Sequence, residues 1–217
     1  MLYKTILTMK LTWILVLLCI AGFAFGVFFG EAAYDEYGFS RDNLLQRPHV
    51  LVTSIFLHGS LEHLLSNILV LVFFGLAVES ELGWKRTALI FFIGAFAGDA
   101  LSLLVYAPTE IAVGASAGIF ALIGVGMLVR PVDLSFYPLV VPIPLALLGL
   151  GYALYNAYGF ITGIDPNVSY IAHFGGLFVG LAFGFRREGW KRGIKIIAIT
   201  FLVMIAIPLI WIAIRGG

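Results

Sequence analysis

Apolar residues in this chain come in long unbroken runs, not in the alternation of a half-buried strand or the spaced stripe of a surface helix. A helix needs about 20 mainly apolar residues to cross the hydrocarbon core of a bilayer. Runs of that kind fall at about 11–30, 61–79, 87–106, 115–130, 137–158, 168–186 and 194–214, a pattern that predicts seven transmembrane helices. The fifth run is crowded at its start by Pro138, Pro142 and Pro144, and proline suits a first helical turn but disrupts deeper ones. The first run follows Lys4 and Lys10 and exceeds the apolar core of about 7–15 residues in a secretory signal, which predicts a retained helix. Residues 31–58 form the longest non-spanning segment, with Glu31, Asp35, Glu36, Arg41, Asp42 and Arg47. The second half of that segment, Val50 to Leu57, is too apolar for a solvated loop and too short to cross. It is expected to lie partly embedded and sheltered by helices, because unpaired backbone cannot face lipid.

Composition narrows the class. Hydrophobic residues make up 61% of the 217 and charged residues 12%, with a mean hydropathy of +1.05, whereas soluble chains carry about a quarter charged residues. The chain therefore reads as one polytopic membrane domain over 1–217, with the lipid bilayer as its solvent. A net charge of +1 and the lack of a basic patch interleaved with aromatics exclude a nucleic-acid partner. Cys19, the single cysteine, cannot form an internal disulfide. With the N-terminus inside, ten Lys and Arg fall on the inner side and three on the outer, Arg41, Arg47 and Arg215. The excess of positive charge predicts a cytoplasmic N-terminus and an external C-terminus in the cell membrane.

Under that topology the second, fourth and sixth spans all run from outside to inside. His63 and Asn67 lie in the first two turns of the second, Ser116 in the first turn of the fourth, and His173 about a turn and a half into the sixth. Three helices distant in sequence thus present Ser, His, His and Asn at one depth. Polar groups inside spans are costly and face a cavity or one another. Taken singly, each has a plainer account: an interfacial histidine, an asparagine joining two helices, a serine among packing glycines. Together they suit acyl transfer, in which neutral imidazole takes the proton of a serine hydroxyl. His63 and Asn67, at i and i+4, share a helical face and, with the Ser116 amide at a helix N-terminus, could donate to an oxyanion. Gly176, Gly180 and Gly184 follow His173 along its own face, the small-residue spacing that lets membrane helices approach closely. Gly114 and Gly118 would do the same beside Ser116. His49 and His58 read as interfacial, His58 being the one with a structural duty, and Asp99 in the third span has no assigned role.

The runs His58-Gly59-Ser60-Leu61-Glu62-His63-Leu64-Leu65-Ser66-Asn67, Gly114-Ala115-Ser116 and Ala172-His173-Phe174-Gly175-Gly176-Leu177-Phe178-Val179-Gly180 resemble, in order, the motifs of the rhomboid family of intramembrane serine proteases. The resemblance covers about 50–186 and implies an all-α fold, a rhomboid-like six-helix bundle plus a seventh C-terminal helix at about 194–214. It implies Ser116 as nucleophile and His173 as base in a dyad, with His63, Asn67 and the Ser116 amide as the oxyanion hole and no cofactor. Phe120 matches the aromatic position that packs on the dyad histidine. The resemblance also implies that 31–58 is a half-embedded loop, Gly159–Asn167 a cap over the site, and the fifth helix the substrate gate. Substrates would be single-span membrane proteins cut near the outer face, at small residues in a helix that unwinds easily. Two departures stand out: Ala117 replaces the glycine usual after the serine, and His49-Val50 replaces a Trp-Arg pair.

Other membrane chemistries fit less well. A zinc protease would carry H-E-x-x-H, which is absent, so no metal is expected. An aspartyl pair needs two carboxylates within the spans, and Asp99 alone lies clearly inside. A transporter would show inverted repeats and broken helices at midplane. The alternative of another class is a non-catalytic rhomboid-like protein that binds membrane clients, against which the joint presence of Ser116 and His173 argues.

Overall fold

The computed structural model describes residues 9–134 and 142–215. Lys4 and Pro138, used above, lie outside them. The described residues form ten helices, and their only β-type pairings are two isolated bridges. In chain order the helices are α1 Lys10–Phe29, α2 Glu31–Tyr37, α3 Arg41–Gln46, α4 Val50–Phe56, α5 Leu61–Leu82, α6 Trp84–Val105, α7 Ser116–Val129, α8 Leu145–Thr162, α9 Tyr170–Glu188 and α10 Trp190–Arg215. Five of them (α1, α5, α6, α8 and α10) are long and apolar enough to cross a membrane. The chain is thus an all-α, multi-pass membrane protein.

Helix α7 is the centre of the bundle. Every residue from Ala117 to Val129 is buried, and α5, α6, α8 and α9 all pack against it. Its 14 residues give a rod of about 21 Å, short of the roughly 30 Å hydrocarbon core. Its neighbours shield it from lipid, so it needs no full crossing length of its own. α1 stands outside α5 and is tied to it at one end by a carboxylate. Glu79 on α5 accepts from the Leu11 and Thr12 amides at 3.0 and 2.8 Å and from the Thr12 hydroxyl at 2.7 Å. Those α1 amides have no partner inside the helix, and Glu79 satisfies them from across the interface. α10 lies at the periphery, touching α8 and α9.

The fifth span departs from the sequence reading. Expected at 137–158, it runs Leu145–Thr162. Pro142 and Pro144 precede it in non-helical backbone, where Ile143 and Asp133 exchange amide–carbonyl bonds at 2.8 and 2.9 Å. Proline cannot supply the donor an inner helical turn needs, so the helix begins once the prolines are passed. The segment 31–58 is three short helices and not a loop. Ser40 caps α3 by accepting the Asn43 amide at 3.1 Å, and Phe39, Val50, Ile55 and Leu57 bury their side chains.

Candidate active site

The approach to α7 is held from the side by the segment 31–58. Phe39 and Ala112 pair their backbones at 3.0 and 2.7 Å, and the Gly114 amide donates to the Ser54 carbonyl at 2.9 Å. Helix α7 then starts at Ser116, whose side chain is half-buried. Its Oγ lies 2.9 Å from His173 Nε2. The imidazole arrives on α9, which touches α7 backbone to backbone. A Cβ at Gly176 would stand 1.9 Å from the Ala117 carbonyl oxygen, and one at Gly180 2.1 Å from that of Ala121. Any side chain at either position would push the two helices apart, and the hydroxyl and the ring with them. Phe120, one turn below Ser116, stacks on the imidazole with ring centroids 4.3 Å apart and planes 12° from parallel.

Two donors approach from α5. Ser60 accepts the His63 amide at 3.1 Å, which caps the helix and fixes the turn that carries the ring. Gly114 has φ 120°, and a Cβ there would sit 2.7 Å from His63 Nε2. Only glycine lets the chain before the serine pass so close to the imidazole. One turn on, Asn67 is buried and donates from Nδ2 to the His63 carbonyl at 2.8 Å. Its amide nitrogen carries two hydrogens, and one is so used. His63, Asn67, Ser116 and His173 line a single cavity of about 790 Å³, together with Asp165 and Ser169. A hydroxyl against an imidazole nitrogen, two side-chain donors and the first amide of a helix is a set able to generate a nucleophile and hold an oxyanion. Among the described residues no three His, Cys, Asp or Glu side chains are grouped to hold a metal ion.

Several finer readings change. Gly118 packs against Phe91 on α6, not against α9, and Ala117, Ala121 and Gly124 carry the close approach instead. The Ala117 methyl sits where a Cβ on Gly98 would fall within 2.5 Å. A small residue lost from α7 is matched by a glycine on α6, and Ala117 is absent from the cavity wall. His58 is not interfacial: it is wholly buried, with its ring edge-on to His63 at 5.0 Å and its carbonyl accepting from the Tyr34 hydroxyl at 2.9 Å. Burial, and then the charge of His63, push its imidazole down to about 4. His49, in the place of the Trp-Arg pair, is exposed and packs on Tyr37 at 5.7 Å. The expected cap at Gly159–Asn167 is half helix, since α8 continues to Thr162. Asp99 on α6 is not brought to the cavity. Asn156, which sequence reasoning passed over, is buried on α8 with Oδ1 2.8 Å from His173 Nδ1.

Comparison with known proteins follows the same lines. The Rhomboid domain family matches residues 46–190. RHOMBOID-like protein 1 of Arabidopsis thaliana is 36% identical over 135 residues, 62% of this chain and 33% of that protein. RHOMBOID-like protein 2 of the same plant is 32% identical over 146 residues, 65% of this chain and 44% of that one. Rhomboid-like protease 2 of Toxoplasma gondii is 28% identical over 135 residues, 62% of this chain and 46% of that protein. The chain spans less than half the length of these relatives. The matched span contains His63, Ser116 and His173 alike, and with that match over most of its length the chain belongs to the rhomboid family.

Proposed function

We propose that the chain is an intramembrane serine endopeptidase that hydrolyses peptide bonds in or near the transmembrane segments of single-span proteins. The observation that carries this reading is the 2.9 Å approach of Ser116 Oγ to His173 Nε2 inside the cavity. As Oγ bonds to the substrate carbonyl carbon, its proton passes to His173 Nε2 and the C=O electron pair moves onto oxygen. His63, Asn67 and the Ser116 amide donate to that oxyanion. When the C=O re-forms, the C–N bond breaks and the Nε2 proton goes to the leaving amine. Water then repeats the sequence on the acyl-serine, releasing a carboxylate and restoring Ser116. The cavity supports this step, since hydrolysis within a bilayer requires room for water beside the nucleophile.

The proposed architecture is seven spans, with α7 and α9 joining the five long apolar helices. The catalytic core lies at about 50–186, and α10 is the added C-terminal helix. The N-terminus is cytoplasmic and the C-terminus external, on the distribution of Lys and Arg. The deciding experiment is cleavage of a single-span substrate in liposomes by the wild type and Ser116→Ala. Product from the wild type alone is expected, together with Ser116 labelling by a fluorophosphonate. Equal product from both would end the proposal. His173→Ala is expected to abolish nearly all turnover, and His63→Ala or Asn67→Ala to cost about 10²–10³ in kcat.

A further inference from the structure

Asn156 stands on α8, 2% exposed, and makes two contacts of opposite kind. Its Nδ2 is 3.1 Å from the Tyr170 backbone carbonyl, and its Oδ1 is 2.8 Å from His173 Nδ1. The first contact orients the second. A carbonyl oxygen can only accept, so the amide must turn its NH₂ to Tyr170 and its oxygen to His173. An amide oxygen likewise can only accept, so Nδ1 of the neutral imidazole must carry the ring's one hydrogen. Nε2 is then left with its lone pair, facing Ser116 Oγ at 2.9 Å.

We infer that Asn156 is a positioning residue: through Tyr170 and His173 it holds the imidazole in the tautomer whose Nε2 can take the serine proton. This rests on the proposed reading of Ser116 as nucleophile and His173 as base, and adds a third, uncharged member to that pair. Without an acceptor at Nδ1, the two tautomers of a neutral imidazole compete, and the form with hydrogen on Nε2 cannot act as base toward Ser116. Phe120 stacks on the flat face of the ring and fixes its plane, but a ring face does not tell one nitrogen from the other. Asn156 makes that distinction, and it does so from a helix that contributes neither Ser116 nor His173.

The test uses the full-length protein in liposomes and reads tautomer, turnover and rescue. Nitrogen-15 shifts of His173 should show the hydrogen on Nδ1 in the wild type and a mixture in Asn156→Leu. That variant is expected to lower kcat about 10- to 100-fold, the range for stranding a buried donor, with KM nearly unchanged. Asn156→Asp keeps an oxygen for Nδ1 but gives up the amide donor to Tyr170, and should recover most of the loss. A wild-type His173 with its hydrogen on Nε2 would overturn the inference, and that measurement needs no variant to fold. Wild-type kcat in Asn156→Leu would overturn it too. So would a loss in Asn156→Asp equal to that in Asn156→Leu, which would assign the effect to the Tyr170 bond. If Ser116→Ala cleaves as well as wild type, the protease reading fails, while the nitrogen-15 measurement still judges Asn156 by itself.

Discussion

His58 fills the turn before α5, wholly buried, with Nδ1 3.1 Å from the Phe56 carbonyl and no partner for Nε2 among the described residues. Its imidazole is held down to about 4, whereas in an unfolded chain it would titrate near the reference of about 6.5. Between those two values unfolding takes up a proton that the folded state refuses, so stability falls as pH drops through that window and levels off below it. The loss attached to this residue is on the order of 3 kcal/mol. His58→Asn should remove it: thermal midpoints of the two proteins should converge as pH falls from about 6.5 to about 4. Parallel curves would mean that His58 is not the titrating group. At this scale the sequence made Ser116, His173, His63 and Asn67 legible, because all four fall near the start of apolar runs, and the structure brings them to one cavity. Asn156 was hidden by the same criterion. It lies in the second half of α8, not near a helix start, and meets the dyad through its contact with His173.

Among the elements, the α7–α9 contact decides whether the hydroxyl and the imidazole meet. Gly176→Ala would set a methyl 1.9 Å from the Ala117 carbonyl oxygen, and backbone cannot yield as a flexible side chain does. Overpacking of this kind costs about 1–3 kcal/mol, and a displacement of about 1 Å at a reacting group costs about 10²-fold in rate. Fluorophosphonate labelling of Ser116 should therefore fall far more steeply than the unfolding midpoint. Gly151→Ala on α8 is the control, since a methyl there meets only the end of Met204 at 3.9 Å and should leave labelling unchanged. Equal labelling in both variants would show that the helices have slack. The small-residue row on α9 could be read from spacing alone. Its counterpart on α7 could not, because spacing suggests the glycines at 114 and 118 while the geometry uses Ala117, Ala121 and Gly124. A stretch of small residues in a helix buried on all sides does not declare which face meets which neighbour. The fifth span was misplaced at its start for a related reason: apolar residues continue between the prolines, whereas the helix begins only after Pro144.

Across the whole molecule, α10 is the element the site needs least. It adds Ile196, Ile197 and Met204 to a small cluster with Met127, Leu128, Ala146 and Leu150, and exposes most of its remaining apolar side chains. In a bilayer, lipid tails can replace such a contact, because helix association there has no hydrophobic driving force of its own. A chain ending at Gly189 is therefore expected to insert and to keep Ser116 labelling within about twofold of wild type. Loss of labelling would make α10 part of the catalytic fold. The same truncation tests topology. In the proposed arrangement six spans precede Gly189, so a reporter fused there should lie on the N-terminal side of the membrane, and one fused after Gly217 on the opposite side. The basic residues Arg186, Arg187, Lys191 and Arg192 cluster around that junction, where positive charge resists translocation. Both reporters on one side would mean that α10 does not cross. A reporter at Gly189 on the side opposite the N-terminus would mean an odd number of crossings before it. Since α1, α5, α6 and α8 qualify by length and apolarity, the missing one would be α7, which carries Ser116, or α9, which carries His173. Either loss would turn one of them to the wrong face, so parity of the spans and the meeting of hydroxyl with imidazole stand or fall together.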